Sequence, residues 1–359
     1  MEDELNYIQL LNNNIAVFRH HISFFDFSPS RKMIYNLIGV NDDIVKTQMF
    51  KDFKQSELKQ YKDNLKHGKI KIDNADYCII CSNILEMLYF SIGKEIKQPL
   101  TGRQAYCKAY ANGADMAGFR SPLVCVGNTL YLKNTYVPKI DDYFNLNKNI
   151  IVLNFNSGVA ISDRASGCDT DGDKMLITTQ KQIVNAVIKC KDYPTPINLI
   201  ESNVIPQPLT EENKARVDNK IAQNLTGQIT NLAQYYQSYY WDNYDKLTSD
   251  EKKDIYMKTC TLNILSNVSI DSAKKTFPSC LNLKDEVDKL RDNLFGAEKV
   301  TVKDKKTGED KEIVEKIKPY FFRYIINKNC RKNYIYKYKN TPMDYACSIV
   351  NTLTRADTI

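Results

Sequence analysis

Histidine is nearly missing from this chain. Its 359 residues hold 3, at His20, His21 and His67. A histidine-dependent nucleophile or general base is therefore unavailable to anything built from the later sequence. Paired metal-ligand spacings are missing too. Cys78 and Cys81 form a CxxC, but no second CxxC or His pair completes a zinc site. The ten cysteines run from Cys78 to Cys347 without the clustering of a small disulfide framework, so buried thiols on a β-strand are expected for the CxxC. There is no signal peptide, no apolar run long enough to span a membrane, no internal repeat and no low-complexity tract, and a cytoplasmic location is expected. Charge is not one-sided: Lys+Arg 50 against Asp+Glu 43 gives +7, compatible with nucleic acid but not diagnostic of it.

What is present is a concentrated acidic turn. Ser166 to Thr179 reads SGCDTDGDKMLITT, with Asp169, Asp171 and Asp173 on alternate residues and Gly172 between the last two. An extended backbone would place the three carboxylates on one face, neighbours about 7 Å apart. Gly172 lets the chain curl and draws them closer. Like charges at that range repel, and a bound divalent cation relieves the repulsion. An all-oxygen donor set favours a hard ion, Mg2+ or Mn2+, or Ca2+ in a structural loop. A helix–loop–helix calcium site wants Gly at loop position six and Glu at twelve, where this chain has Lys174 and Gln180. The flanks are β-rich instead: NIIVLNFN at Asn149 to Asn156 and MLITT at Met175 to Thr179. A solvated acidic turn without an ion is the plainer alternative.

The chain around the turn is short strands punctuated by glycine. KIKID alternates, ADYCIIC is apolar, Asn83 to Gly93 is helix-like, and VCVGNTLYLKN suggests two strands about a Gly127–Asn128 turn. With no βαβ rhythm, this fits a small closed barrel.

These residues carry a resemblance. DTDGD resembles the DxDGD signature of two-barrel RNA polymerases, a group spanning the largest subunit of multisubunit RNA polymerase, the cellular RNA-dependent RNA polymerases of silencing, and single-chain phage relatives. GFRSPLVCV, Gly118 to Val126, resembles the Arg-x-Pro segment preceding that loop, and SIDSAKK, Ser269 to Lys275, is similar to an Asp-x-x-Lys segment after it. NADY, RSP, GNxxY and DRxxGxDxD are phrases shared with polymerase-like proteins of Firmicutes and their prophages. The resemblance covers roughly Lys69 to Pro196.

The resemblance implies an α+β chain: a double-psi β-barrel catalytic core flanked by helical N- and C-terminal regions. Residues 1–68 would be a mixed, mainly helical segment, 69–200 the barrel with its aspartate loop, and 201–359 a mainly helical region. It implies nucleotidyl transfer with Mg2+ or Mn2+ held by Asp169, Asp171 and Asp173. The partners implied are a nucleic-acid template, an RNA product and ribonucleoside triphosphates. Arg120 would approach the ribose of the incoming nucleotide, or else anchor its strand. Lys274 would face a phosphate, or else be a solvated helix lysine. Arg164 would pair with the aspartates or with substrate. The family's second barrel supplies lysines to the triphosphate. No such signature occurs in residues 1–68, so a second barrel-bearing segment or subunit is expected, with a non-catalytic metal- or nucleic-acid-binding relative as the alternative.

The remaining segments read more plainly. Asp42 to Asn64 is one or two helices. The helix-like KQIVNAVIKC follows MLITT, and Tyr193 to Pro208 carries four prolines, a domain edge. Asn213 onward is helical, with Tyr235, Tyr236, Tyr239, Tyr240 and Trp241 expected to pack between helices rather than stack on bases, and Lys252 to Lys275 forms another helix. TVKDKKTGEDK, Thr301 to Lys311, reads as a hairpin tip. FFRYIINKNCRKNYIYKYKN, Phe321 to Asn340, interleaves cations with aromatics, as nucleic-acid surfaces and amphipathic elements both do.

Overall fold

The computed structural model describes residues 2–353 except 25–27, 67–68, 70–71, 157, 205, 223, 279–280, 296–297, 304–309 and 326–333. Two compact units emerge: Met1–Lys71 with Glu315–Ile359, and Ile72–Val314.

The first unit opens with four helices, α1 (Glu2–Asn13), α2 (Ile15–Phe24), α3 (Pro29–Val40) and α4 (Gln48–Lys66). A 3-10 turn at Asp42–Lys46 precedes α4, so the Asp42–Asn64 stretch splits into a tight turn and one helix. Ser28 caps α3 by accepting from the Arg31 amide, with Pro29 at the first helical position. Leu11, Phe18, Ile22, Ile34, Ile38 and Phe50 form its core. His21 is buried there, its Nδ1 3.0 Å from the Tyr7 hydroxyl, which makes it a packing residue.

The second unit is organised around a closed barrel of six strands: β1 (Ala75–Cys81), β2 (Gln104–Cys107), β3 (Asp115–Phe119), β4 (Leu130–Asn134), β5 (Ile150–Leu153) and β6 (Lys174–Thr178). The order around the barrel is β1-β5-β2-β4-β3-β6. Pairings β1–β5 and β2–β4 are parallel, and the remaining four are antiparallel. Consecutive strands β2 and β3 do not pair with each other but both flank β4, and β5 and β6 both flank β1. Each connection therefore passes over the strand it straddles. The α+β class with a double-psi barrel between helical regions is what the chain adopts.

Alternation builds the interior. Cys78 and Ile80, Leu130 and Leu132, Ile151 and Leu153, and Met175 and Ile177 point inward at period two and are almost wholly buried. Cys78 meets Cys107 inside the barrel, Sγ to Sγ 4.0 Å, so the CxxC is not a ligand pair. Asn134, also buried, donates to the carbonyls of Cys107, Tyr110 and Ala111 and accepts from the Cys107 amide, stitching down the Gly-punctuated loop after β2. One expectation is corrected here. VCVGNTLYLKN yields one strand, β4, not two: Asn128 Oδ1 takes the Cys125 amide at 3.1 Å, and Val126–Asn128 winds into a 3-10 turn.

Outside the barrel lie α5 (Ile84–Ser91), α6 (Pro138–Tyr143), α7 (Ile161–Arg164) and α8 (Lys181–Cys190). Leu85, Val137 and Ile140 of the α5–α6 side pack on Tyr106 and Val152, while Val184 and Val187 of α8 pack near Ala117. After the proline-rich stretch come α9 (Glu211–Ala222), α10 (Thr226–Asp242), α11 (Ser249–Asp271) and α12 (Leu283–Phe295). A capping box of Thr248 and Glu251 starts α11. Ile229, Leu232, Tyr236, Leu262, Leu265 and Val287 form the core of this layer. The aromatic cluster packs as expected for its tyrosines: Tyr236 is buried and donates to the Leu290 carbonyl, and Tyr235, Tyr239 and Tyr240 lie against the same core. Trp241 departs from the expectation, being 47% exposed and stacked on Tyr244 at 5.3 Å between ring centroids.

Strand β7 (Glu298–Lys303) and the start of β8 (Asp310–Pro319) flank the expected hairpin tip, whose residues 304–309 lie outside the described residues. Beyond it come α13 (Phe322–Ile325), β9 (Tyr334–Lys337), which pairs in parallel with β8 over Lys316–Pro319, and α14 (Pro342–Leu353). These strands interrupt the helices of the C-terminal region. Part of the basic–aromatic stretch, 326–333, is outside the described residues. In the rest, Arg323 and Lys339 lie 5.6 Å and 5.5 Å over the Tyr320 ring, and Lys318, just before the stretch, lies 5.1 Å over Phe322 and 5.2 Å over Tyr334. Those cations are spent on the chain's own aromatics. Among the described residues no helix is long and apolar enough to cross a membrane.

Candidate active site

The aspartate loop is the crossover from β5 to β6. It leaves β5, turns through α7, and passes the end of β1 before entering β6. The Ile80 amide of β1 donates to the Asp173 carbonyl at 2.8 Å, so the barrel wall fixes the loop's last aspartate directly. Sharp turning uses residues in the left-handed region: Ser166 at φ 54, Gly167 at φ 69 and Gly172 at φ 120. Ser162 Oγ donates to the Cys168 carbonyl at 2.9 Å, closing the turn from α7.

The curl does what Gly172 permits. One carboxylate oxygen from each of Asp169, Asp171 and Asp173 falls within 4.8 Å of the others, closer than a straight strand allows. The loop also binds itself: the Asp169 amide donates to Asp173 Oδ2 at 3.1 Å and the Asp171 amide to Asp169 Oδ1 at 3.4 Å. Asp169 and Asp171 are exposed, and Asp173 is half-buried. Asp169 and Asp171 titrate as a pair. Asp171 is pushed above the ordinary carboxylate range, chiefly by its hydrogen bond to Asp169 and by that residue's charge, while Asp169 is drawn below it by the same bond. Cys168 precedes the first aspartate, but burial pushes its thiol up to about 11, so the donor set is all oxygen.

Arg120 is brought to this cluster. Its Nη2 sits 2.8 Å from Asp173 Oδ2, and its Nη1 donates to the carbonyls of Ser166 at 2.9 Å and Ala165 at 3.3 Å. One guanidinium thus clamps both ends of the loop. Three carboxylates against one guanidinium leave a net negative charge that a hard divalent ion fits, with Asp169, Asp171 and Asp173 as the residues to hold it. Lys274 follows α11 on the same side, exposed, and its charge helps hold Asp171 down against the repulsion.

Arg164 goes elsewhere. It is buried, and its guanidinium donates to the carbonyls of Tyr193 at 2.7 Å, Gly127 at 3.4 Å and Thr129 at 3.5 Å. It pins the exit from α8 to the turn before β4 and pairs with none of the three aspartates. What the sequence reading missed is α11 as a wall of the site. Asn267 lies beside Gly167, whose missing side chain would meet Asn267 Nδ2 at 3.8 Å. One turn earlier, Asn263 Nδ2 donates to Asn128 Oδ1 at 2.8 Å, fastening α11 to the barrel through a buried amide pair. The signal was there: Asn263, Asn267 and Asp271 recur every fourth residue along the second half of α11, where the other residues are uncharged.

Comparison with known proteins agrees with this architecture. No curated protein matches the chain. Among solved structures it is similar to the RNA dependent RNA polymerase QDE-1 from Thielavia terrestris, with a TM-score of 0.58 and 12% sequence identity over 99% of this chain. At that identity the likeness is one of fold, and the chain spans 38% of the matched chain's length. A family model described as RNA dependent RNA polymerase matches residues 1–327. A closed barrel with crossover strands, an aspartate triad on the crossover and a family match over most of the sequence agree: the chain belongs to the RNA-dependent RNA polymerase family.

Proposed function

We propose that this chain carries the metal-binding half of an RNA polymerase of the phage and prophage type, a cytoplasmic nucleotidyltransferase adding ribonucleotides to an RNA 3′ end. The observation that carries the reading is the Asp169–Asp171–Asp173 cluster, clamped by Arg120 on a barrel crossover. When bound there, divalent ions, Mg2+ or Mn2+, would activate the 3′-hydroxyl and stabilise the leaving pyrophosphate. The chain's own groups do the rest. The three carboxylates supply the ligand oxygens, Arg120 orients Asp173 and faces the incoming ribose, and Lys274 adds positive charge where the triphosphate collects. Lysines from a second barrel, on another segment or subunit, complete the triphosphate site.

The test is primer extension on RNA and DNA templates with Mg2+ or Mn2+ and ribonucleoside triphosphates, using the chain alone and with a barrel-bearing partner. Wild type extends the primer and Asp173→Ala does not. If neither extends it in any combination while metal still binds, the non-catalytic reading replaces this one.

A further inference from the structure

Two adjoining clefts lie along α9 and the end of α11, and Lys274, whose charge acts on Asp171, lines the first of them. The first, of about 370 Å3, lies between α9 and the turn after α11 and is lined by Lys214, Arg216, Lys220, Lys274 and Lys275, with Asp218 the one acidic residue among its lining. The second, of about 910 Å3, shares Lys220, Lys275 and Thr276 with it and continues past Phe277 to Lys284. The two form one trough that runs from Lys274, whose charge reaches Asp171, to the start of α12. Positive charge recurs along it, and the Phe277 ring lies in its wall.

Helix α9, which forms one bank, has no buried side chain. A helix of that kind contributes little to the folded core, and its charges need another explanation. Its internal ion pairs, Lys214 with Glu211 at 2.7 Å and Arg216 with Glu212 at 3.4 Å, have glutamates 90% and 86% exposed. Pairs so solvated are weak, and a phosphate competes with them readily.

The geometry points to this trough as a binding track for single-stranded RNA, the lysines and Arg216 gripping the sugar–phosphate backbone and Phe277 stacking on a base. The assignment takes its ligand from the polymerase reading: a strand laid along the trough reaches the aspartates at the Lys274 end. A positively charged groove with an interleaved aromatic is the general form of single-strand recognition.

The experiment measures affinity for a fluorescent single-stranded RNA across a salt titration, in EDTA and without nucleotides. Binding is thereby separated from metal and from catalysis, so a failed extension assay and a failed track are distinct results. The combined variant Lys214→Gln, Lys220→Gln, Lys284→Gln changes exposed side chains only. It is expected to bind about tenfold or more weakly, with a log–log salt slope shallower by about two, near 0.7 per lost phosphate contact. Phe277→Leu should weaken binding and leave the slope as it was, since stacking is uncharged. A matched variant on the barrel's other exposed surface, Lys133→Gln, Lys181→Gln, Lys189→Gln, should bind as wild type. Unchanged affinity and slope in the trough variant, or an equal loss in the matched one, overturns the track.

Discussion

Arg120 Nη2 rests 2.8 Å from Asp173 Oδ2, and the same guanidinium holds the carbonyls of Ala165 and Ser166. The side chain is 18% exposed, so the pair is shielded on one side and open on the other. It ties the Arg-Ser-Pro segment to both ends of the aspartate loop. Arg120→Ala should leave the carboxylates able to bind metal but poorly ordered. Extension should fall about 10- to 100-fold, the usual cost of losing an orienting partner of a metal ligand. The preference for ribo- over deoxynucleotides should narrow as well. Arg120→Lys should recover only part of the loss, because one ammonium cannot reproduce the fork. Single-turnover extension with both nucleotide types checks this; full activity in Arg120→Ala would reduce the residue to a strand anchor.

Metal occupancy rests on the triad. Titration calorimetry with Mn2+ should show one principal site in wild type and none measurable in Asp171→Asn. Equal heats in the two proteins would place the ion elsewhere.

The charge on Asp171 sets a pH dependence. Its carboxyl is held above the ordinary range by Asp169. A group raised in this way favours the fold below its unfolded value and loses that contribution as pH rises through the folded one. Metal-free wild type should therefore melt lower than Asp171→Asn at neutral pH, and the two should converge in acid. Added Mn2+ should reverse the order at neutral pH by stabilising wild type alone. Melting curves at pH 4 and pH 7, with and without Mn2+, read all three comparisons.

Arg164 should matter to folding rather than to metal. Arg164→Gln leaves up to three carbonyls short of a donor, with a cost of about 1–3 kcal/mol in a denaturant titration. Mn2+ affinity should be unchanged. Unaltered stability with lost extension would return this residue to the substrate.

The aspartates and Arg-Ser-Pro were legible because their meaning is local: spacing, charge and a glycine decide it. The barrel was legible from short strands without a βαβ rhythm. Arg164 was not, because its role depends on carbonyls of Gly127, Thr129 and Tyr193, remote in sequence and unmarked by side-chain type. The wall formed by α11 was half-visible in its asparagine spacing, but only tertiary packing says which face meets the loop. The basic–aromatic stretch read two ways, and where it is described Arg323 and Lys339 lie over the chain's own Tyr320 ring. The division into contiguous segments was the least legible part, since Glu315–Ile359 groups with Met1–Lys71 and no local signal announces a pairing at that range.

The order in which the barrel strands leave the ribosome has a consequence for when the site comes into being. Strand β6 joins β1 and β3 and is the last needed to shut the cylinder, with Ala75 opposite Thr178 at the largest sequence separation of any strand partner in it. It also begins at Lys174, directly after the third aspartate. Until β6 docks, five strands leave two open edges, and the Ile80 amide waits for the Asp173 carbonyl. Such distant pairing is the slow part of folding, because loop entropy is lost before the contact forms. Closure of the barrel and assembly of the triad are thus one late event, and a nascent chain has no aspartate loop of this shape before that moment.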